Sequence, residues 1–277
     1  VAGAARGATP GARGGGRVVT GARCVRLLAA VAFGAALAAC GAAPSSAIPG
    51  SAVVIPPAGH PGVYVALGTS ETAGVGLNDF ELRLRYAWPQ IFYNAALSRA
   101  TSYYNFAIPG ITTTQALQRE LPQALAVHPT VATVFFTLDD LVNNVSPADY
   151  ERNLDTIVQQ LRHAGAMVLV AAAPHIDGLP AYNACSGTPG TTTPCPLGQG
   201  VVLPPPVVAD AAIDVYDSAV QSVATRESAI IVDLRSQSYD ITTHPEYISS
   251  DGLHPSALGD VQIARLFVTA YTAHVKT

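Results

Sequence analysis

Apolar residues fall along this chain in two alternating kinds of run. Short, mostly apolar runs occur at 63–67 (VYVAL), 102–107 (SYYNFA), 131–138 (VATVFFTL), 166–173 (AMVLVAAA) and 229–234 (AIIVDL). Between them, longer stretches repeat apolar positions at helical spacing, at about 84–98, 113–126, 147–163 and 207–226, with a last one at 256–274. Strands that bury both faces and alternate with helices predict an α/β fold with three layers, α/β/α, around a central parallel sheet of about five strands. The stretch 175–206 breaks the alternation. It is rich in Pro, Gly and Thr and is predicted to be a long surface connection over one end of the sheet. In such sheets ligands sit beyond the carboxyl ends of the strands, so the chemistry is to be sought where each strand stops.

Composition narrows the class. Of 277 residues, 49% are hydrophobic and only 12% charged, which argues for a packed domain and against disorder. No basic excess marks a nucleic-acid partner. The charge is nevertheless uneven: the first 39 residues hold Arg6, Arg13, Arg17, Arg23 and Arg26 and no acid, leaving 10 basic against 19 acidic side chains in the remainder. A basic leader followed by LLAAVAFGAALAAC has the length of a signal h-region and is short for a membrane span. Its end, LAAC (37–40), resembles the lipobox of bacterial lipoproteins. That resemblance implies that Cys40 is acylated and becomes the mature N-terminus, anchored at the extracytoplasmic face of the cell membrane. The plainer alternative is an ordinary secretion signal with an incidental cysteine. The expected organisation is a signal peptide at 1–39, a Pro/Gly/Ala/Ser-rich tether at 40–60 and a folded domain at 61–277.

Export also bears on the cysteines. Cys24 lies in the leader and Cys40 is the lipidation candidate, leaving Cys185 and Cys195 on either side of SGTPGTTTP. In an oxidising compartment a disulfide there would contribute about 2–4 kcal/mol. Two thiols with no histidine close in sequence make a poor zinc site.

Four strand ends then deliver polar residues to one edge of the sheet. The first ends in ALGTSETAGVG, which places Ser70 just past the strand; GVG (74–76) lacks the spacing and the lysine of a phosphate loop. The second runs into NFAIPGITTT, with Gly110 before a helix starting near Thr112 or Thr113. The third ends in FFTLDDLVNN, with Asp139 and Asp140, and the chain returns through DGLHP (251–255) after the fifth. By itself the Asp251–His254 pair is either two thirds of a catalytic triad or a helix cap beside a surface histidine.

The ordered set resembles the SGNH, or GDSL-type, esterase and lipase family over about residues 61–277. GTS (68–70) is similar to its GDS block, NFAIPG (105–110) to the block ending in the oxyanion glycine, TLDD (137–140) to G-x-N-D, and DGLHP to D-x-x-H-P. YAWPQIF (86–92) is similar to the helix after the family's serine. The resemblance implies a flavodoxin-like fold and ester hydrolysis through an acyl-serine intermediate, with neither cofactor nor metal. It also implies Ser70 as nucleophile, His254 as general base, Asp251 as its orienting acid, and the Gly110 and Ser70 amides as oxyanion donors. The expected partner is a small ester, an acylated lipid or sugar.

The pattern breaks at three positions. Thr69 replaces an aspartate that is not the nucleophile, and Thr137 replaces a glycine. Asp139 replaces the asparagine whose amide donates to the oxyanion. An ionised carboxylate cannot donate, and losing one such donor costs about 2.7–4 kcal/mol. Either Asp139 is protonated, or Asn143 or Asn144 reaches in, or the site is weakened. A serine esterase with a modified oxyanion hole is therefore expected. The alternatives are an inactive lipoprotein of the same fold that binds an acylated or glycan ligand, and a metal site built on Asp139, Asp140, Asp251 and His254. His175, on the same edge, is either in reach of substrate or an ordinary loop histidine.

Overall fold

The computed structural model describes residues 62–275, apart from 79, 177, 187–193, 196–201 and 237–242. The leader, Cys40 and the tether lie outside the described residues. Five parallel strands form one sheet: β1 (Val63–Gly68), β2 (Ser102–Asn105), β3 (Val131–Phe135), β4 (Met167–Ala172) and β5 (Ile230–Asp233). Their order is β2-β1-β3-β4-β5, the flavodoxin-like order, in which the chain's direction of travel reverses between β1 and β3.

Successive side chains of a strand point to opposite faces, and β1 feeds two cores. Tyr64 and Ala66 pack with Trp88, Phe92 and Phe267 on one face; Val65 and Leu67 pack with Tyr150, Leu154 and Val220 on the other. The first face is covered by α1 (Phe80–Tyr86), α2 (Trp88–Ala96) and α9 (Ala257–His274), with the Trp88 and Phe267 rings stacked at 4.2 Å. The second is covered by α3 (Thr113–Arg119), α4 (Leu121–Ala126), α6 (Pro147–His163) and α8 (Pro206–Glu227). Each fully buried Leu, Ile or Phe contributes about 1.5–3 kcal/mol, so burial on both faces explains why these strands are continuous apolar runs.

Prolines and one unusual backbone set the differences from the expected boundaries. The pattern at 84–98 is two helices, parted at Ala87, because Pro89 starts a new one. The pattern at 113–126 divides at Glu120, just before Pro122 in the first turn of α4. The strand expected at 131–138 stops at Phe135, since Thr137 has φ 147° and the short α5 (Leu138–Val142) begins directly after it. Inside the 175–206 connection lies a further helix, α7 (Pro180–Cys185), tied by the Cys185–Cys195 disulfide. Among the described residues no helix is long and apolar enough to cross a membrane.

Candidate active site

Ser70 lies two residues past the end of β1, in a helical coil in which the Ala73 N–H donates to Thr69 O (3.0 Å) and the Val75 N–H to Ser70 O (2.9 Å). Its hydroxyl donates to Glu71 Oε2 at 3.3 Å, and the Thr69 hydroxyl donates to the same oxygen.

The Asp251–His254 turn is held from several sides. Ser249 N–H donates to His254 O (2.8 Å) and Ser256 N–H to Tyr247 O (2.8 Å), a two-stranded clasp closed by the bridge between Ile248 and Pro255. Ser256 caps α9, accepting from the Gly259 N–H at 3.2 Å. Within the turn, the Leu253 and His254 amides both donate to Asp251 Oδ1 at 2.9 Å, and His254 Nδ1 meets Oδ2 at 2.8 Å. Burial pushes the Asp251 carboxyl up. The His254 and Leu253 amides, helped by the His254 ring, reverse that and hold it at about 2. An ionised carboxylate only accepts, so Nδ1 carries the proton and Nε2 is the basic nitrogen.

The serine coil and the histidine turn touch at Gly76. A Cβ there would lie 2.7 Å from His254 Cβ and 2.6 Å from Pro255 O, and the residue has φ 101°, so any side chain would pry the two apart. Gly110 has open space around it and is needed for a different reason, its φ of 77°.

Ser70, Gly110, Asp139 and His254 line one cleft of about 360 Å³, with Glu71, Tyr182, Leu203 and Leu253 among its other walls. The cleft lies beyond the carboxyl ends of β1 and β3, where the strand order reverses. Asp139 is half-buried there. Burial raises its carboxyl, the Glu71 carboxylate raises it further, and the Thr69 hydroxyl and His254 partly offset this, leaving it at about 6.

Asp140 points elsewhere. It is fully buried and accepts from the Thr113 N–H (3.0 Å) and hydroxyl (2.6 Å), capping α3. Asn143 donates its amide to its own helix, at Asp139 O (2.8 Å), and neither it nor Asn144 lines the cleft. Among the described residues no group of three or more His, Cys, Asp or Glu side chains is placed to hold a metal ion. His175 contacts Asp210, with Nδ1 3.0 Å from Oδ2, and Arg235 contacts the same oxygen at 2.8 Å.

Two contributors escaped the sequence reading. Glu71 is one. The second is Glu120, fully buried, whose Oε2 accepts from the Gly68 N–H and Oε1 from the Ile108 N–H, both at 3.0 Å. It joins the end of β1 to the loop that carries Gly110. The 175–206 connection, expected over one end of the sheet, reaches the site: the Ala181 N–H donates to Gly252 O (2.9 Å), the Leu203 N–H to Cys185 O (3.0 Å), and Tyr182 and Leu203 wall the cleft.

Similar architecture occurs in solved structures. The lipase/acylhydrolase from Enterococcus faecalis is 21% identical, covering 78% of this chain and 97% of its own, with a TM-score of 0.55. A psychrotrophic esterase from a Pseudoalteromonas species is 16% identical, with 76% and 97% covered and a TM-score of 0.55. An acetylxylan esterase from Geobacillus stearothermophilus is also 16% identical, with 77% and 95% covered and a TM-score of 0.55. At these identities the likeness establishes the fold. No curated protein sequence matches the chain. Residues 66–260 match the GDSL-like Lipase/Acylhydrolase family, a span that holds Ser70, Gly110, Asp139, Asp251 and His254, and the chain belongs to that family.

Proposed function

We propose that this protein is an exported, lipid-anchored serine esterase that hydrolyses carboxylic esters through an acyl-Ser70 intermediate. The observation that carries the reading is the shared cleft: Ser70, Gly110, Asp139 and His254 converge there, and Asp251 fixes the imidazole. A serine hydroxyl is a weak nucleophile until a base takes its proton. In this reading His254 Nε2 removes the proton from Ser70 Oγ as the oxygen attacks the ester carbonyl, and Asp251 stabilises the imidazolium. The Ser70 and Gly110 amides face the developing oxyanion, and His254 returns the proton to the departing alcohol. Water then repeats the sequence on the acyl-enzyme. The Ser70 hydroxyl turns from Glu71 to His254 once substrate is seated, since catalytic hydrogen bonds often tighten only in the complex.

Export and anchoring through Cys40 rest on the leader and LAAC alone. The oxyanion hole is modified at Asp139, which donates only when protonated. Acylated lipids or sugars are the substrate class this family membership supports.

A second reading, a binding protein on the same fold, draws on Asp139 and on the Ser70–Glu71 contact. Treatment of the protein with a fluorophosphonate, followed by intact mass, separates the two. The esterase reading expects one adduct per chain, absent in Ser70→Ala, together with ester hydrolysis lost in the same variant. Hydrolysis that survives Ser70→Ala sinks the nucleophile assignment. No adduct in either wild type or Asp139→Asn favours the binding protein.

A further inference from the structure

A second cavity adjoins the cleft. It lies among the carboxyl ends of β3 and β4, α8 and α9, and its walls are mainly apolar: Phe135, Ala173, Ile176, Leu179, Ile213 and Ile263. Each of these is at least nine-tenths buried. Thr69 and Glu71, the neighbours of Ser70 in sequence, stand at one end of it. Three residues, Glu71, Leu138 and Leu253, line both spaces, so the cleft and the cavity share a single wall next to the nucleophile.

The wall is polar at one point only. Glu71 takes the hydroxyls of Thr69 and Ser70, while Leu138 and Leu253 supply the remainder. When Ser70 turns toward His254, it releases its hold on Glu71, the one polar member of the wall shared by the cleft and the cavity. Apart from Thr69, Glu71 and His175 the lining is apolar, so it gives water few partners, whereas a hydrocarbon gains from entering it. The cavity measures about 50 Å³, and one water-sized group needs about 10–15 Å³ of such space, so it takes a few methylene-sized groups.

We propose that this cavity is the acyl pocket, that it selects short-chain esters, and that Glu71 stands at its throat and limits chain length. The inference rests on the esterase reading of the cleft. It adds that the acyl tail points inward, under the sheet edge, and that the alcohol faces the open side of the cleft. Long fatty chains are excluded because the far walls, Ile213 on α8 and Ile263 on α9, belong to the main core.

The test alters the far wall, away from Ser70. For wild type, Ile213→Ala and Ile213→Phe, kcat/KM is measured on p-nitrophenyl acetate, propionate, butyrate and hexanoate. Each variant's own acetate rate is the reference, so a general loss of activity cancels. The enlarged pocket of Ile213→Ala should raise the hexanoate-to-acetate ratio about tenfold, and the filled pocket of Ile213→Phe should lower the butyrate-to-acetate ratio about tenfold. Glu71→Ala should also move the optimum to longer chains. Ratios that stay at the wild-type values in folded Ile213 variants overturn the pocket and leave the esterase intact.

A binding arm needs no turnover. 1-Butanol is titrated into each protein while the Ile263 methyl resonance is followed by NMR. A saturable shift in wild type that is lost in Ile213→Phe supports the pocket even if no ester is hydrolysed, in which case the reading of the cleft alone falls. An Ile263 methyl that does not respond to 1-butanol in wild type overturns the pocket.

Discussion

At Asp139 a carboxyl lines the cleft where acyl transfer would generate negative charge. Burial and Glu71 hold it at about 6, so it carries a proton below that pH and is ionised above it. Protonated, it can donate as an amide would; ionised, it repels the oxyanion. The ratio of kcat/KM in Asp139→Asn to that in wild type should therefore stay near one at pH 5. Above pH 7 it should climb to about 10²–10³. Taking the ratio removes the titration of groups common to both proteins, and a ratio that is flat from pH 5 to 9 rejects this role. Thr137, two residues before it, holds φ 147° without being glycine, while its hydroxyl bonds Tyr150 at 3.1 Å. Such a backbone costs about 1–3 kcal/mol. Thr137→Gly relieves the strain but loses one hydrogen bond and gains chain entropy in the unfolded state, so its unfolding free energy should stay within about 1 kcal/mol of wild type. Thr137→Val keeps the strain and orphans a buried tyrosine hydroxyl, so urea melts should find it less stable by about 1–3 kcal/mol.

The helix least visible in the sequence, α7, places Tyr182 in the wall of the cleft. PAYNAC gives no long amphipathic repeat, and a six-residue helix is too short to stand without tertiary support. That support is the Cys185–Cys195 bond, which the flanking cysteines did announce, and the Ala181–Gly252 hydrogen bond, which nothing local could announce. Replacing both cysteines by serine should lower the unfolding free energy by about 2–4 kcal/mol. It should also lower kcat/KM about tenfold at temperatures where the variant remains folded, because Gly252 sits between Asp251 and His254 and small misplacements of a catalytic group are costly. Full activity in the folded double variant would mean that the turn is held by its own clasp at Ser249 and Ser256. The other elements follow the same division. Strand cores were legible because both faces are apolar, and motif residues because they sit at strand ends. The helix breaks at Ala87 and Glu120 were overlooked although Pro89 and Pro122 mark them.

Across the whole molecule, the sequence carried the layer order and the edge on which the candidate site lies, but not the buried acids that join distant segments. Glu120 reads as a solvent-facing residue of a helical pattern, yet it reaches 52 positions back to Gly68. Asp260 likewise leaves α9 to accept from the Trp88 N–H, 172 positions away, at 3.0 Å. These burials have a collective consequence. Burial raises Glu120 to about 8 and Asp139, Asp140 and Asp217 to about 6, in each case against hydrogen bonds that pull down, and it raises Asp260 as well. Between the ordinary carboxylate range and these values the folded chain binds more protons than the unfolded one, so stability falls as pH rises through that window. Asp251, held at about 2, acts oppositely: its contribution is complete above the ordinary range and is lost as pH falls toward 2. The urea midpoint should therefore peak near pH 4–5 and decline toward pH 8. Glu120, raised to about 8, contributes to the decline between about pH 6 and 8, and Glu120→Gln should make that part shallower while leaving the fall between pH 4 and 6 in place. A midpoint that rises from pH 5 to 8 would mean that the amides of Gly68 and Ile108 hold Glu120 ionised, and that the carboxylate joins β1 to the Gly110 loop as a charge.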